Sequence, residues 1–229
     1  MGVTKGAYPS VEEREAMGPG VPDWEPLCSD VEGVRSLEAR WIFAGALPAT
    51  MTGWIGRFPA ETVTLADAYL VNPPLPGLSV KVREGRALEV KVYHGSPGLI
   101  ELPGRARGRL EAWQKWSFPC APVGRGGGDP ASWRTVRKRR RISRFSRAGG
   151  RAVACAPGPG KKPECAVELA EFSALGEDWW TLGFEATGPP AVLPGQLEAA
   201  AALVFSRALP GEVDLNMNGC MSYAQWLRR

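Results

Sequence analysis

The chain has 229 residues, of which 44% are hydrophobic and 23% are charged, and its formal net charge at pH 7 is only +4. A chain of this length can bury a substantial core, and one domain is an ordinary outcome. The mild net charge excludes nucleic-acid binding driven by overall charge, so only local clusters of cations can carry such a function. The 28 glycines and 21 prolines favour many turns and short elements over long helices.

The ends of the chain and its cysteines indicate a cytoplasmic protein without a membrane partner. Residues 1–24 lack the apolar run of a signal peptide. The longest apolar stretch near the other end, 199–205, is too short to span a bilayer. The five cysteines are scattered without Cys-x-x-Cys spacing, which argues against structural zinc and for reduced thiols.

In chain order, the pattern predicts an arm, a series of strands and a short helical end. Residues 1–33, rich in glycine, proline and acids, are predicted to form a mobile N-terminal arm, and residues 34–229 a single domain. The predicted strands are 36–43, 62–70, 78–84, 86–93, 108–118, 133–145, 164–175 and 178–186. Glycine- and proline-rich residues predict a loop at 121–130 and a flexible insert at about 147–163. The pattern predicts a loop or short helix at 52–58, a helix at 196–207 and a terminal helical turn at 221–227.

Several predicted strands carry a charged residue at every second position. Because side chains alternate between the two sides of a strand, these charges share one face of each strand. Neighbouring strands of this kind would form a charged wall, and a closed barrel of them would form a charged tunnel. The pattern therefore indicates a site for a polyanion, with carboxylates available for a metal ion. These faces carry Lys81 and Arg83, Glu89 and Lys91, and Lys138 and Arg140.

The basic run at residues 137–141 allows more than one interpretation. Five consecutive basic residues can form a targeting signal or a nucleic-acid patch. They can also protect the solvated edge of a sheet from the addition of another strand. The apolar flanks Trp133, Val136 and Ile142 favour an ordered strand, in which Lys138 and Arg140 share one face.

The order of the motifs resembles the CYTH superfamily, the triphosphate tunnel enzymes. The segments EAWQKWSFP and WWTLGFEA suggest an atypical bacterial branch. The resemblance covers most of residues 36–186. It rests on LEARW (37–41), ADAYLV (66–71), LSVKVREGRALEVKVY (78–93), WRTVRKRR (133–140), CAVELAEF (165–172) and WWTLGFEA (179–186).

The resemblance implies a mainly β (α+β) fold, a closed or strongly curved antiparallel barrel of about eight strands with flanking helices. It implies that basic side chains inside the barrel bind the phosphates, and that carboxylates bind Mg²⁺ or Mn²⁺. The implied metal ligands are Glu38, Glu168 and Glu185, and Glu168 would also act in catalysis by orienting a water molecule. The implied phosphate-binding residues are Arg40, Lys81, Arg83, Lys91, Lys115, Lys138 and Arg140.

The first strand departs from the family pattern. The family has Glu-x-Glu-x-Lys, whereas this chain has Ser36, Glu38 and Arg40, so the first carboxylate is missing. Three functions stay open. The first is binding and metal-dependent hydrolysis of a triphosphate, polyphosphate or nucleoside triphosphate by a phosphatase-like hydrolase. The second is a non-catalytic module that binds the same compounds, and the third is nucleic-acid binding through residues 134–147.

Overall fold

The computed structural model describes residues 33–71, 77–119, 132–156, 164–174 and 176–229. Residues 1–32 of the predicted arm, the predicted loop at 121–130 and residues 157–163 of the predicted insert lie outside the described residues. Gly33–Arg229 form one compact unit.

Strands make up most of the described chain. The strands are β1 (Val34–Ala44), β2 (Glu61–Leu70), β3 (Leu78–Arg83), β4 (Ala87–Leu102), β5 (Ala106–Pro119), β6 (Trp133–Ala148), β7 (Arg151–Ala154), β8 (Glu164–Ala174) and β9 (Glu177–Thr187). The helices are α1 (Ala49–Ile55), α2 (Leu193–Val204) and α3 (Tyr223–Trp226), with a 3-10 turn at Pro190–Val192.

Eight of these strands close into an antiparallel barrel. They pair in the order β2, β3, β4, β5, β1, β9, β8 and β6, and β6 pairs back with β2. Strand β7 pairs only with the end of β6, beyond the part of β6 that contacts β2. The prediction of a mainly β barrel with flanking helices is confirmed.

The hairpin of β4 and β5 is longer than the sequence predicted. Strand β4 was expected to end at 93, but it continues to Leu102 and reverses after that residue. The pairing absorbs Gly95 and Gly98 as irregularities in register, with φ angles of +109° and +151°. Glycine inside a strand often marks a bulge, so the pattern of glycines predicts too early an end for this strand. Within the predicted insert at about 147–163, the structure has the end of β6 and all of β7.

Apolar residues cover the outside of the barrel wall formed by β1, β8 and β9. Trp41 is fully buried and packs edge-on against Phe184 at 6.4 Å between ring centres. The buried face of α2, which includes Leu197 and Val204, belongs to the same cluster. Because side chains alternate, the outward position of Trp41 directs its neighbour Arg40 into the barrel.

A second apolar cluster lies at one end of the barrel interior and is called the apolar end below. Its members from the strands are Ile42, Tyr69, Val136 and Phe172, and α3 adds Trp226. The cluster therefore attaches the C-terminal helix to the barrel. No helix among the described residues is both long and apolar enough to cross a membrane.

Candidate functional site

The barrel interior brings together every residue that the sequence predicted for the site. The ten residues line one cavity with a volume of about 130 Å³, called the tunnel below. A second cavity of about 260 Å³ shares Arg40, Arg140 and Glu168 with the tunnel and extends past Arg144. The predicted residues in the tunnel are Glu38, Arg40, Lys81, Arg83, Lys91, Lys115, Lys138, Arg140, Glu168 and Glu185.

One group of tunnel charges centres on Asp67, which the sequence analysis did not assign to the site. Asp67 is 1% exposed, and its Oδ2 accepts a hydrogen bond of 3.0 Å from Lys81 Nζ. Lys81 also lies 3.1 Å from Glu89 Oε2, and Arg83 lies 3.0 Å from Glu89 Oε1. Burial raises the pKa of Asp67, but Lys81, Lys138 and Arg83 outweigh burial and leave it lowered. The Asp-x-Tyr alternation on β2 was the signal that could have identified Asp67.

A second group pairs Glu168 with two arginines. Arg40 Nη1 donates to Glu168 Oε1 at 2.8 Å, and Arg140 Nε donates to Glu168 Oε2 at 2.6 Å. Glu168 is 5% exposed. Burial raises its pKa, but Arg140 and Arg40 outweigh burial, so the pKa is well below its usual range and the carboxylate stays ionised. Glu168 was predicted to bind a metal and orient water, but both of its carboxylate oxygens accept hydrogen bonds from arginines.

A third group places Lys91 between two carboxylates. Its Nζ lies 2.5 Å from Glu38 Oε1 and 3.5 Å from Glu185 Oε1. Burial lowers the pKa of Lys91, but Glu185 and Glu38 together raise it above its usual value. Ser36, at the position of the missing family carboxylate, donates a hydrogen bond of 2.6 Å to Glu38 Oε1.

Lys138 is the most deeply buried of the predicted cations, at 4% exposure. Its Nζ donates to the Tyr69 hydroxyl at 2.7 Å and lies 3.8 Å from Asp67 Oδ2. Burial and the nearby charge of Lys81 hold the pKa of Lys138 well below its usual value. A buried lysine of this kind gains more from a new anionic partner than a solvated one does, because its charge is poorly compensated.

Basic residues exceed acidic ones in the tunnel. Among the described residues, its lining includes eight basic and six acidic side chains. Within the same residues, six of these cations pair with five of the carboxylates, and the side chains of Lys115, Arg109 and Glu111 make no ion pair. Lys115 acts at longer range, lowering the pKa of Glu89 and of Glu185. The tunnel is therefore a nearly paired set of charges with two cations available to an anion.

The carboxylates fit a hard metal ion only in part. In the described part of the chain, no three His, Cys, Asp or Glu side chains are arranged to hold a metal ion. Glu38 is the register partner of Glu185 on β9 and of Glu111 on β5, so the three acids form a row across neighbouring strands. Burial and Glu38 raise the pKa of Glu111. Two carboxylates of this row, Glu38 and Glu185, already share one cation, Lys91.

Strand β6 carries basic residues on both faces. Lys138 and Arg140 line the tunnel, whereas Arg137 and Arg139 are exposed on the outside. Arg139 pairs with Glu171 on the surface at 2.9 Å, and Arg141 donates to the Phe58 carbonyl oxygen at 3.1 Å. Arg139 therefore forms an ion pair, whereas the outward Arg137 and Arg141 form none within the described residues.

No protein-family model matches the chain, and no curated protein matches it in sequence. The resemblance of the motif series to the CYTH superfamily therefore stays a prediction.

Proposed function

We propose that the tunnel binds a short phosphate chain, such as a triphosphate or the end of a polyphosphate, and hydrolyses it with the help of a divalent metal ion. The observation that carries the proposal is the convergence of seven predicted cations inside a closed barrel. A non-catalytic module that binds the same compounds is the second candidate. The missing carboxylate at Ser36 supports that candidate.

Phosphate oxygens can replace the carboxylates that now hold the tunnel cations. Arg40 and Arg140 each present a planar guanidinium, which binds phosphate through two parallel hydrogen bonds. Both already bind the oxygens of one carboxylate, Glu168, so their donors point to a common position. A phosphate chain would add its negative charge beside Lys115, which forms no ion pair in the described residues.

The interior of the barrel has room for a phosphate chain. The tunnel has a volume of about 130 Å³, and the second cavity of about 260 Å³ shares Arg40, Arg140 and Glu168 with it. Cations also face the tyrosine rings inside it. Lys138 Nζ lies 4.9 Å from the Tyr69 ring centre and 3.5 Å from the Tyr223 ring centre. We propose that these cations hold a nucleoside triphosphate through its phosphates.

Phosphoanhydride hydrolysis needs positioning and charge stabilisation more than covalent help from the protein. Glu38 and Glu185 are the best-placed ligands for Mg²⁺ or Mn²⁺, which binds through one or two carboxylates together with substrate phosphates. When bound, such an ion would neutralise charge on the phosphate oxygens. Glu168 holds Arg40 and Arg140 in position, and its role in orienting water stays a prediction.

The test is calorimetric titration of tripolyphosphate into the purified protein. We expect micromolar affinity or tighter for the wild type. Arg83→Glu should weaken binding more than about tenfold, because losing a desolvated charge pair costs roughly 2–5 kcal/mol. Arg137→Glu, the same charge reversal on the outside of the barrel, serves as the matched control and should bind normally.

The outcomes separate the candidate functions. Absence of tripolyphosphate binding by the wild type would refute the proposal. Unchanged affinity in Arg83→Glu would remove Arg83 from the site. Weakened RNA binding in Arg137→Glu, with tripolyphosphate binding intact, would favour the nucleic-acid alternative. Phosphate release with Mg²⁺ or Mn²⁺ would distinguish the hydrolase from the binding module.

Ser36→Glu should increase metal-dependent hydrolysis of tripolyphosphate. Ser36 is 3% exposed and already touches Glu38, so a carboxylate at this position would add a ligand beside the proposed metal position. The measurement is phosphate release against Mg²⁺ concentration, with Ser36→Gln as the control of equal size without charge. A folded Ser36→Glu protein that gains no activity over Ser36→Gln would show that the missing carboxylate does not limit catalysis.

A further inference from the structure

The C-terminal segment adds a tunnel residue that the motif series does not include. Tyr223 lies at the start of α3 and lines the tunnel. The segment before it pairs with β1, since Ile42 N donates to the Gly219 oxygen and Met221 N donates to the Arg40 oxygen, both at 2.9 Å. The backbone leading to Tyr223 is therefore held against the strand that carries Arg40.

Helix α3 is fixed at both of its ends. Ser222 caps it, accepting a hydrogen bond from Gln225 N while the Gln225 side chain accepts one from Ser222 N. At its other end Trp226 packs edge-on against Phe172, with 5.0 Å between ring centres. Such a short helix has little stability of its own, so these contacts determine where Tyr223 lies.

The ring of Tyr223 contacts two of the predicted phosphate-binding cations. Lys138 Nζ lies 3.5 Å from the ring centre, and Arg40 Cζ lies 4.7 Å from it. Cations within about 6 Å of an aromatic face are attracted to it, more strongly where water is excluded. The ring therefore holds Lys138 and Arg40 near each other at the apolar end of the tunnel.

The hydroxyl of Tyr223 is buried and forms no hydrogen bond of regular geometry within the described residues, although the Thr181 side chain lies within reach of it. The nearby Thr181 hydroxyl already accepts a hydrogen bond of 3.1 Å from Arg40 Nη1. Burial raises the pKa of Tyr223 to about 12, so the hydroxyl keeps its proton at neutral pH and can act as a donor. A buried donor without a partner is unfavourable unless a ligand completes it.

We infer that Tyr223 binds the ligand: its hydroxyl donates a hydrogen bond to a phosphate oxygen, and its ring positions Lys138 and Arg40 around the same phosphate. The inference rests on the proposed function and extends the site to a segment outside the barrel strands. The phosphate nearest the apolar end would then be recognised by a neutral donor, the Tyr223 hydroxyl, as well as by cations.

The experiment measures tripolyphosphate affinity by calorimetry and the thermal unfolding midpoint for three variants. Tyr223→Phe removes only the hydroxyl and should weaken binding about tenfold, because a hydrogen bond to a charged group is worth roughly 1.5–3 kcal/mol. Its unfolding midpoint should change little, because the hydroxyl forms no hydrogen bond of regular geometry within the described residues. Tyr223→Leu should weaken binding further. Tyr93→Phe, which removes a hydroxyl outside the tunnel lining, should bind like the wild type.

The outcomes distinguish this inference from the proposed function. If the wild type binds tripolyphosphate and Tyr223→Phe binds it equally well, the inference fails while the proposed function stands. If Tyr223→Phe lowers the unfolding midpoint along with the affinity, the hydroxyl has a structural role and the inference also fails. If the wild type binds no tripolyphosphate, the proposed function fails first.

Discussion

Replacing Glu168 with Gln should lower the free energy of unfolding by about 3–5 kcal/mol, the usual effect of removing one partner from a buried ion pair. Glu168 is the shared partner of Arg40 and Arg140, which lie deep in the tunnel wall. Without the carboxylate, two guanidinium groups would face each other in a poorly solvated interior. Urea-induced unfolding at pH 7 measures the change. Glu171→Gln, which breaks the exposed pair with Arg139, is the control and should change the free energy of unfolding by less than about 1 kcal/mol.

The effect of Glu168→Gln should depend on pH in a defined direction. The folded-state pKa of Glu168 is lowered, so its ionised form stabilises the folded protein above the usual glutamate pKa of about 4.3. That contribution is lost as the pH falls below this value towards the lowered folded-state pKa. The difference in stability between wild type and variant should therefore be largest near neutral pH and shrink in acid. A difference that stays constant down to pH 3 would contradict the assignment.

The same variant should bind tripolyphosphate more tightly than the wild type. In the wild type, the ligand must displace the Glu168 carboxylate from Arg40 and Arg140, and in the variant it need not. Each hydrogen bond to a charged group is worth roughly 1.5–3 kcal/mol. We expect a gain of about tenfold or more in affinity and a rise in unfolding midpoint with added tripolyphosphate. Weaker binding by Glu168→Gln than by the wild type would show that the carboxylate does not compete with the ligand for the two arginines.

The second large effect is expected for Trp226→Ala, which should lower the free energy of unfolding by about 3–5 kcal/mol, as large-to-small core substitutions do. Trp226 is 5% exposed and packs against both Phe172 and Trp179, with 5.3 Å between the ring centres of the two tryptophans. Its removal would leave a cavity at the apolar end of the barrel. Thermal and urea unfolding measure the loss, and Trp116→Ala, at a half-exposed site outside both core clusters, is the control.

Trp226→Ala should also weaken tripolyphosphate binding, although Trp226 does not line the tunnel. Without this anchor, α3 would hold Tyr223 less firmly against Lys138 and Arg40. A variant that loses stability but keeps wild-type affinity at a temperature where it is folded would show that the position of α3 does not matter to the ligand.

The sequence predicted the tunnel cations because a local rule decides them. On β3 and β6, alternation alone assigns Lys81 and Arg83, or Lys138 and Arg140, to one face. Which carboxylate meets which cation depends on strand register, which alternation leaves undetermined. The position of Asp67 opposite Arg83, for example, follows from the pairing of β2 with β3.

Tyr223 could not be assigned from the sequence for a different reason. It lies about 40 residues beyond the end of the motif series, in a segment whose pattern predicted only a helical turn. Its place in the tunnel depends on contacts of Trp226 and Met221 with strands that are distant in sequence. Long-range packing of this kind leaves no local signature.

Because β6 carries basic residues on both faces, its charges cannot determine how it aligns with its neighbours when the barrel folds. If β6 shifted by one residue against its neighbours, Arg137, Arg139 and Arg141 would enter the tunnel and it would still be basic. Charge therefore cannot select the correct alignment of this strand. The apolar residues of β6 determine the register instead, because a shift would turn Val136 and Phe145 away from the clusters in which they are fully buried. Substitution of those two residues, rather than of any arginine, is what should allow misaligned barrels to form during folding.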